Sequence, residues 1–403
     1  MLHGMAKQSS PTTQYDKKRE FVLRQLDAHR MTAVEAATSL GLSERQVRRL
    51  LAAFRQEGAE AAVHGNRGRA PDHTLSPQIR QRVIELAQTT YAGFNQTHLT
   101  EKLRSVEGIT ISRASVQRIL CAAGIRSPRR RRRPKHRSRR ERRPQAGMLL
   151  QIDGSRHDWL EGRGPYLSLA GAIDDATNEV TAALFRLEED AHGYMLLFHR
   201  IVTERGIPLA VYADRHGIFQ RSPLDQETID EQLAGRRQLT QVGRMFDDLG
   251  IELVTAMSPQ AKGRIERLWG TFQDRLVSEL RLAGATTLDD ANVVLAQFLP
   301  AFNKQFMHPP ATEGSAYRPV PARLDLLTIF SFQYSRIVAN DNTVCYDKSV
   351  VQIPASPERS SYAKAKTLLC VGLDGSLSVV HNGRRVAFMP SKNPKAAIRV
   401  LKR

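Results

Sequence analysis

The stretch SPQAKGRIERLWGTFQDRL, residues 258–276, decides the fold class of the central part of the chain. Its apolar residues recur at intervals of three and four, which predicts an amphipathic helix with one buried face. Glu266 stands beside that face as the one carboxylate among Lys262, Arg264 and Arg267. A single carboxylate among the cationic residues of the first helical turns calls for a chemical explanation.

Apolar segments upstream of this helix predict the strands of an α/β core over residues 147–305. They are LLQID (149–153), YLSLAGAID (166–174), VTAALFRL (180–187), IPLAVYAD (207–214) and IELVTA (251–256). The short turn between the second and third segments predicts an antiparallel pair. Helical patterns separate the later strands, so the order is that of an α/β fold built on a mixed sheet.

Three carboxylates lie where an α/β fold usually has its active site. Asp153 closes the first strand, Asp214 closes the fourth, and Glu266 lies early in the last helix. Strand ends and the helix that follows are the usual location. Taken singly, an Asp at a strand end is commonly a turn residue, and a lone Glu on a helix is usually a solvated charge. Converging in a basic chain, they predict a site for two Mg²⁺ ions, with Mn²⁺ as a substitute, suited to phosphodiester chemistry.

The charge of the chain indicates a polyanionic partner. Sixty Lys and Arg against 41 Asp and Glu give a net charge of +19 at pH 7. A membrane surface would be the competing partner, but the chain has no run of about 18 apolar residues and no apolar signal segment. Three widely separated cysteines argue against a disulfide framework and a cysteine zinc site. We therefore expect nucleic acid, and no membrane, as the partner.

The N-terminal part predicts a helix-turn-helix DNA-binding domain over residues 17–63, after a flexible tail over residues 1–16. In MTAVEAATSLGLSERQVRRLLAAF a helix stops at Gly41 and Ser43 caps the next one. A plain helical hairpin would give the same pattern. The outward, DNA-contacting residues of the second helix are expected to be Arg45, Gln46, Arg48 and Arg49.

A second helix-turn-helix domain, of the winged kind, is expected over residues 77–126. Ser112 can cap its last helix, whose apolar residues then face inward. The expected outward residues of this helix are Arg113, Ser115, Gln117 and Arg118. Two units in tandem would span a long DNA site.

Two basic linkers flank the second domain. In the Gly/Arg linker over 64–76, Arg67 and Arg69 suit a minor-groove arm and a flexible connection equally well. The Arg-rich linker over 127–146 is a solvated tether in isolation. Beside DNA it would follow the phosphates with strong salt dependence. Its candidate contacts are Arg130, Arg131 and Arg132.

The C-terminal part predicts a separate β domain. A Pro-rich connector over 306–328 precedes five short apolar segments with Asp-Gly and Asn-Gly turns between them. We expect a small SH3-like barrel over 329–395, followed by a basic tail over 396–403.

The motifs QIDG, ADRHG and SPQAKGRIERLWGTFQ resemble the three acidic motifs of the retroviral-integrase-like DDE transposases of bacterial insertion sequences, most closely the ISNCY group. The resemblance spans nearly the whole chain. The third motif is the most specific, since it matches the family pattern at Pro259, Lys262, Gly263, Glu266 and Arg267. The resemblance implies tandem helix-turn-helix domains, an RNase H-like core and a C-terminal barrel, with Asp153, Asp214 and Glu266 as catalytic metal ligands.

The same resemblance implies a DNA transposase that binds the terminal inverted repeats of its element, cleaves a strand there and joins the 3′-OH to target DNA. It implies double-stranded DNA as partner, a homodimer or higher oligomer on that DNA, and a place in the bacterial cytoplasm at the nucleoid. Whether a helper protein takes part stays open. The alternatives are a transposase-derived regulator without catalysis, which the intact triad disfavours, and a free-standing nuclease, which leaves the helix-turn-helix domains unexplained.

Two departures from the family pattern concern the site. Fifty-one residues separate Asp214 from Glu266, more than in the commonest form, and the surplus fits a polar insert over 219–238. His216 stands in Asp-Arg-His-Gly, where relatives often have Asp-Asn-Gly. It is a candidate auxiliary residue for phosphate contact or proton transfer, and a purely structural role is equally consistent.

Neighbouring polar residues receive other assignments. Asp174 and Asp175 fit a turn between strands better than catalysis. Lys262 and Arg264 are candidate phosphate contacts beside Glu266, and a solvated cationic face would explain them equally well.

Overall fold

The computed structural model describes residues 13–63, 74–127, 141–222, 226–235, 237–255, 263–357 and 359–392. The chain divides into two compact units, residues 1–80 and residues 81–403. Within the described residues, no helix is both long and apolar enough to span a membrane.

The N-terminal unit contains a helix-turn-helix. Its helices are α1 (Gln14–Asp27), α2 (Ala33–Leu40) and α3 (Glu44–Glu57), followed by a 3₁₀ turn over Gly58–Ala62. Gly41 ends α2 in the left-handed region, with a φ of 62°, and Ser43 then caps α3. Val22, Ala36 and Val47 join the three helices in a small core. The predicted order of helix, glycine turn and helix is confirmed.

Helix α1 begins earlier than predicted. The sequence pattern predicts a flexible tail over 1–16, yet α1 starts at Gln14 because Thr13 and Asp16 form a capping box. The Thr13 N–H donates to the Asp16 carboxylate across 2.8 Å, and the Asp16 N–H donates to the Thr13 hydroxyl across 3.3 Å. The first twelve residues of the predicted tail lie outside the described residues.

Three further helices lie in the range predicted for the second helix-turn-helix domain. They are α4 (Pro77–Gln88), α5 (Gln96–Ser105) and α6 (Arg113–Ala122). Ser112 caps α6 by accepting the N–H of Ser115 across 3.1 Å, as the sequence predicts. The wing expected here is not seen, since residues 74–127 contain no strand. After α5 the N–H of Ile109 bonds the Leu103 carbonyl across 2.7 Å, and the chain then runs directly to the cap of α6.

A five-stranded mixed sheet forms the centre of the second unit. Its strands are β1 (Leu150–His157), β2 (Leu167–Asp174), β3 (Val180–Arg186), β4 (Ala210–Ala213) and β5 (Glu252–Thr255). The spatial order is β3-β2-β1-β4-β5. Strand β2 is antiparallel to its two neighbours β1 and β3, whereas β4 and β5 run parallel to β1. The predicted α/β core on a mixed sheet is confirmed.

Helices cover both faces of this sheet. They are α7 (Ala191–Arg205), α9 (Gln241–Asp248), α10 (Gly263–Leu282) and α11 (Leu288–Phe306), whereas the short helix α8 (Ile229–Ala234) lies in the insert between β4 and α9. One hydrophobic cluster joins the sheet to α10 and α11, and a second joins it to α7 and α9. Strand β2 is buried along its whole length between the two layers, which explains its nearly continuous apolar sequence.

The C-terminal part is an open sheet with a separate hairpin. After α12 (Leu326–Ile329), strands β6 (Ser331–Ile337), β9 (Lys366–Gly372), β10 (Leu377–His381) and β11 (Arg384–Met389) form a four-stranded antiparallel sheet. Strands β7 (Thr343–Tyr346) and β8 (Ser349–Gln352) pair as a two-stranded hairpin. A closed SH3-like barrel is not seen among the described residues. The hairpin packs on the sheet through side chains, with Val344 and Val351 in the same core as Phe332. Over the described part of residues 329–392, no ladder of hydrogen bonds joins the two sheets.

This C-terminal sheet packs directly on the core. Arg244 of α9 donates to the carbonyl of Ser331 across 2.7 Å. Gln241 of α9 exchanges two hydrogen bonds with the backbone of Gln333, at 2.9 and 3.1 Å. The ring of Phe330 lies 5.1 Å from that of His199 on α7. The central sheet, α7, α9 and the C-terminal strands therefore share one hydrophobic core.

The second helical domain is anchored to α10 through α5. The Glu101 carboxylate accepts two hydrogen bonds from the Arg275 guanidinium, at 2.6 and 3.0 Å. The Glu279 carboxylate accepts from Lys102 across 2.8 Å and lies 2.8 Å from Nε2 of His98. Charge-assisted bonds of this kind fix orientation as well as contact. The second half of α10 thus binds α5 through these side chains.

Candidate active site

Two of the predicted catalytic carboxylates stand on neighbouring strands. The parallel register of β1 and β4 pairs Leu150 with Val211 and Gln151 with Tyr212. Continued by two residues, the same register brings Asp153 opposite Asp214, which directly follows β4. Neighbouring strands are separated by about 4.7–4.9 Å. The two aspartates therefore stand side by side at the end of β4.

Asp153 does not close its strand, in contrast to the prediction. Strand β1 continues to His157 because β2 pairs with it over its whole length, whereas β4 on the other side ends at Ala213. Asp153 lies within β1, opposite Gly171 of β2. The end of β4, and not the end of β1, exposes Asp153 beside Asp214.

Helix α10 runs along β1 and contacts alternate residues of the strand. The contacts are Ile265 N–H to Gln151 Oε1 (3.3 Å), Trp269 Nε1 to Asp153 Oδ2 (3.0 Å) and Gln273 Nε2 to Ser155 Oγ (3.4 Å). Four helical residues rise about 6 Å. Two strand residues rise about 6.6 Å. The spacings nearly match, so the helix lies parallel to the strand with one face against it.

The direction of Arg264 fixes the direction of Glu266. Arg264 pairs with Asp175, which follows β2, so it lies on the β2 flank of α10. Successive helical residues are rotated by about 100°. The face of α10 between Arg264 and Glu266 is turned toward β1. Glu266 therefore lies on the flank of α10 opposite to Arg264, toward β4 and Asp214. Its side chain is exposed.

The three carboxylates suit a hard cation by their chemistry, since carboxylate oxygens are preferred ligands of Mg²⁺. In the described residues, no three Asp, Glu, His or Cys side chains lie close enough together to hold a metal ion. The register of β1 and β4 therefore brings Asp153 and Asp214 together. Glu266 lies on the flank of α10 opposite to Arg264, and the three carboxylates do not form a three-ligand cluster.

Trp269 has a role that the sequence pattern did not predict. Its helical spacing indicates a core residue, and its ring is indeed buried. Its indole N–H, however, donates to Asp153. A Cβ on Gly171 would lie 2.8 Å from the Trp269 ring, so the absence of a side chain there admits the indole. No signal in the sequence links Trp269 to Asp153, which are 116 residues apart.

A fourth carboxylate lies against the strand that carries Asp153. A Cβ on Gly154 would lie 2.3 Å from the carboxyl carbon of Glu189. The buried Tyr194 hydroxyl donates to Glu189 across 2.6 Å. Burial, followed by the charge of Glu189, raises the pKa of Tyr194 well above its ordinary value, and Asp153 and Asp214 add to the effect. The tyrosine therefore stays protonated as a donor. The glycine after Asp153 in QIDG is the sequence signal for this close approach.

The pair Asp174 and Asp175 divides into two roles. Asp174 holds the turn, because its Oδ1 accepts the N–H groups of Ala176 and Thr177 at 2.9 and 3.0 Å. Asp175 is fully buried and pairs with Arg264. The phosphate contact predicted for Arg264 is therefore corrected: its side chain is only 9 % exposed and is directed at this carboxylate.

His216 belongs to a local turn after β4. Its N–H donates to Oδ1 of Asp214 across 3.0 Å, and its Nδ1 accepts the N–H of Ile218 across 3.3 Å. Its side chain is exposed. The predicted auxiliary residue His216 thus helps to orient Asp214 through the backbone.

The insert that follows contains α8. There, hydrogen bonds from the backbone N–H groups of Thr228 and Gln238 lower the pKa of Glu231 to about 2.

The predicted DNA-contacting residues of α3 and α6 lie mostly on exposed faces. Exposed are Arg45, Gln46, Arg48 and Arg49 on α3, and Arg113, Gln117 and Arg118 on α6, whereas Ser115 is half-buried. The Gln46 side chain accepts the N–H of Ser43 in the capping box. The candidates outside the described residues are Arg67, Arg69, Arg130, Arg131, Arg132 and Lys262.

The chain is similar to known proteins over its N-terminal helices and over most of its length. A family model described as winged helix-turn helix matches residues 19–81. The protein named "Putative transposase y4bF" of Sinorhizobium fredii (strain NBRC 101917 / NGR234) is 37% identical over 344 residues, covering 82% of this chain and 74% of that protein. The transposase for insertion sequence IS1202 of Streptococcus pneumoniae is 30% identical over 398 residues, covering 90% of this chain and 83% of that protein.

Solved structures also show similarity at low identity. A chain in the cryo-EM structure of a simian T-cell lymphotropic virus intasome with PP2A regulatory subunit B56 gamma is 15% identical, with a TM-score of 0.32 over 77% of this chain and 97% of that chain. The HTLV-2 integrase catalytic core in complex with magnesium, in its dimeric form, is 18% identical, with a TM-score of 0.27 over 38% of this chain and 85% of that one.

The two transposases match 82% and 90% of this chain, and the matches cover 74% and 83% of the transposases themselves. Its function is accordingly DNA transposition. The chain belongs to the transposases of bacterial insertion sequences.

Proposed function

We propose that this transposase binds the terminal inverted repeats of its element, hydrolyses a strand at each end and joins the liberated 3′-OH to target DNA. Asp153, Asp214 and Glu266 are its catalytic residues. The observation that supports the proposal is the register that sets Asp153 beside Asp214. The pairing of Arg264 with Asp175 indicates that Glu266 points to the same side.

These three carboxylates would hold two Mg²⁺ ions, with Mn²⁺ as a substitute. When bound, such ions supply positive charge for activating the attacking oxygen and stabilising the leaving oxygen. The neighbouring residues orient the carboxylates. The Trp269 N–H holds Oδ2 of Asp153, and the His216 N–H holds Oδ1 of Asp214. Fixed orientation of the ligands is what outer-sphere hydrogen bonds contribute in such sites.

The exposed faces of α3 and α6 are the proposed DNA-reading surfaces. Recognition helices enter the major groove, and arginines there contact base edges and phosphates. Because α5 is bonded to α10, the α5–α6 pair has a fixed relation to the helix of Glu266. The Arg-rich linker adds sequence-independent phosphate contacts. Two transposon ends joined in one reaction require a homodimer or higher oligomer on the DNA, and we place this reaction at the bacterial nucleoid.

A transposase-derived regulator without catalysis is not favoured. A regulator would need only the helix-turn-helix domains, yet the similarity to transposases extends over 82% and 90% of this chain. The α/β core also keeps the paired aspartates and the glycines that make room for Trp269 and Glu189.

A strand-transfer assay tests the proposal. Duplexes carrying the terminal repeats that flank the gene are incubated with a target plasmid and Mg²⁺. We expect transfer by the wild type, none by Asp153→Asn, Asp214→Asn or Glu266→Gln, and unchanged end binding by all of them. Asp289→Asn, an exposed aspartate on α11, is the matched control and should retain activity. Wild-type activity in Asp153→Asn would overturn the mechanism, whereas wild-type binding without transfer would favour the regulator.

A further inference from the structure

Asp175 is a buried carboxylate on which three distant parts of the chain converge. It directly follows β2 and is 0% exposed. Its Oδ1 accepts Nε2 of Gln151 across 2.8 Å, and its Oδ2 accepts the backbone N–H of Arg143 across 2.8 Å. The guanidinium of Arg264 on α10 completes the set. Asp175 thus joins β1, the end of the Arg-rich linker and the helix that carries Glu266.

The pairing of Asp175 with Arg264 is desolvated on both sides. The two side chains are 0% and 9% exposed. A buried ion pair persists only where its geometry and further hydrogen bonds offset the loss of water, and removing one partner leaves an uncompensated charge. The ion pair therefore holds Arg264 in one position, and a small displacement of either partner would weaken it.

Gln151 connects this pair to the backbone of α10. Its Nε2 donates to Asp175, and its Oε1 accepts the N–H of Ile265 across 3.3 Å. The first described turn of α10 is consequently held at two successive residues, Arg264 by its side chain and Ile265 by its backbone. Glu266 is the next residue, and its direction depends on the rotation of this turn about the helix axis.

We infer that Asp175 is a positioning residue for Glu266, acting through Arg264 and Gln151. This inference rests on the proposed catalytic role of Glu266. A role in the turn itself is already filled, because Asp174 supplies the turn's hydrogen bonds to Ala176 and Thr177. The Asp175 carboxylate is directed instead into the interface between β1 and α10.

Metal affinity, read from intrinsic fluorescence, is the direct test. The chain has two tryptophans, and only Trp269 contacts Asp153, whereas Trp159 donates to the Ser155 carbonyl. Titration of the full-length protein with Mg²⁺ in the absence of DNA should therefore change the Trp269 emission. Loss of the signal in Trp269→Phe identifies its source.

Asp175→Asn should raise the Mg²⁺ concentration for the half-maximal fluorescence change by about tenfold, the usual effect of losing a partner that orients a metal ligand. Arg264→Lys, which keeps the charge without the fork of donors, should have a smaller effect. Asp289→Asn is again the control and should leave the titration unchanged. Circular dichroism shows whether each variant folds. If Asp175→Asn alone does not fold, the double variant Asp175→Asn with Arg264→Gln replaces it in the test, because it removes both charges of the buried pair.

The decisive comparison is made in a Glu266→Gln background. If Asp175 acts through Glu266, Asp175→Asn adds no further loss of Mg²⁺ affinity there, because the two effects are not independent. Equal losses in both backgrounds, or wild-type affinity in the folded Asp175→Asn variant, would overturn the inference. If Glu266→Gln alone leaves Mg²⁺ affinity unchanged, it is the proposed role of Glu266 that fails.

Discussion

Trp269 donates its indole N–H to Oδ2 of Asp153 across 3.0 Å, which joins α10 to the middle of β1 at the centre of the candidate site. The contact lies one helical turn after Glu266. It gives a largely buried aromatic residue, otherwise explained by packing, a direct link to a proposed metal ligand.

Trp269→Phe should lower the rate of strand transfer by about tenfold, because it removes the hydrogen bond to Asp153 and retains most of the aromatic packing. The free energy of unfolding should fall by about 1 kcal/mol. Strand-transfer kinetics and thermal unfolding measure the two effects. Trp159→Phe is the matched control, since it also loses an indole hydrogen bond, at 3.1 Å to the Ser155 carbonyl. Equal losses of activity in both variants would show that the Asp153 contact has no special role.

Gly171→Ala and Gly154→Ala should both impair strand transfer. The new methyl groups would lie 2.8 Å from the Trp269 ring and 2.3 Å from the Glu189 carboxyl carbon, so side chains next to Asp153 must move. Gly270→Ala on α10 meets no atom within 4 Å and serves as the control. It should retain activity and stabilise the helix by about 1 kcal/mol. Full activity in Gly154→Ala would mean that Glu189 moves away without consequence for Asp153.

Glu101→Arg and Arg275→Glu should each release α5 from α10, and the two changes together should restore part of the contact with reversed charges. Each single change leaves a charged partner without its bonds, which costs about 1–3 kcal/mol. Hydrogen exchange of the α5 amides measures the release. Cleavage of end DNA should fall in both single variants and recover in the double variant. Unchanged exchange in all three would show that other contacts suffice to hold the domain.

Acidification should release the same contact. Burial raises the pKa of Glu101 and Glu279, but hydrogen bonds from Arg275 and His98 outweigh it, so both pKa values lie below the ordinary value. A lowered folded-state pKa contributes stability that is present above the unfolded value of about 4.3 and is lost as the pH falls through the folded value. Protection of the α5 amides should thus be constant from neutral pH to about pH 5 and fall below about pH 4.3. Glu101→Gln combined with Glu279→Gln should abolish this dependence, and a transition that persists in that variant would contradict the assignment.

The elements of the core could be predicted from the sequence because their signals are local. Apolar runs located the strands, and the cap at Ser43 with the glycine at Gly41 located the helix-turn-helix. The position of Asp153 inside its strand could not be predicted, since it depends on how far β2 and β4 extend on either side. The catalytic assignment of the three carboxylates stays a prediction.

Contacts between residues far apart in the chain had no signal in the sequence. Arg264 stands among cations and suggests a phosphate contact, yet it is buried against Asp175, 89 residues away. The C-terminal strands were predicted as a closed barrel because strand and turn signals do not report which strands share hydrogen bonds. Their actual pairing leaves a hairpin packed on an open sheet.

The core shared by α7, α9 and the C-terminal sheet has a practical consequence for dissecting this protein. A fragment that ends at residue 328 would remove Phe330, Phe332 and Tyr334 from the hydrophobic core that they share with α7 and α9. Such a fragment should aggregate on expression, because it would expose a continuous apolar surface. The catalytic part of this transposase is best obtained with its C-terminal strands attached, since they serve as its outer wall and not as a detachable module.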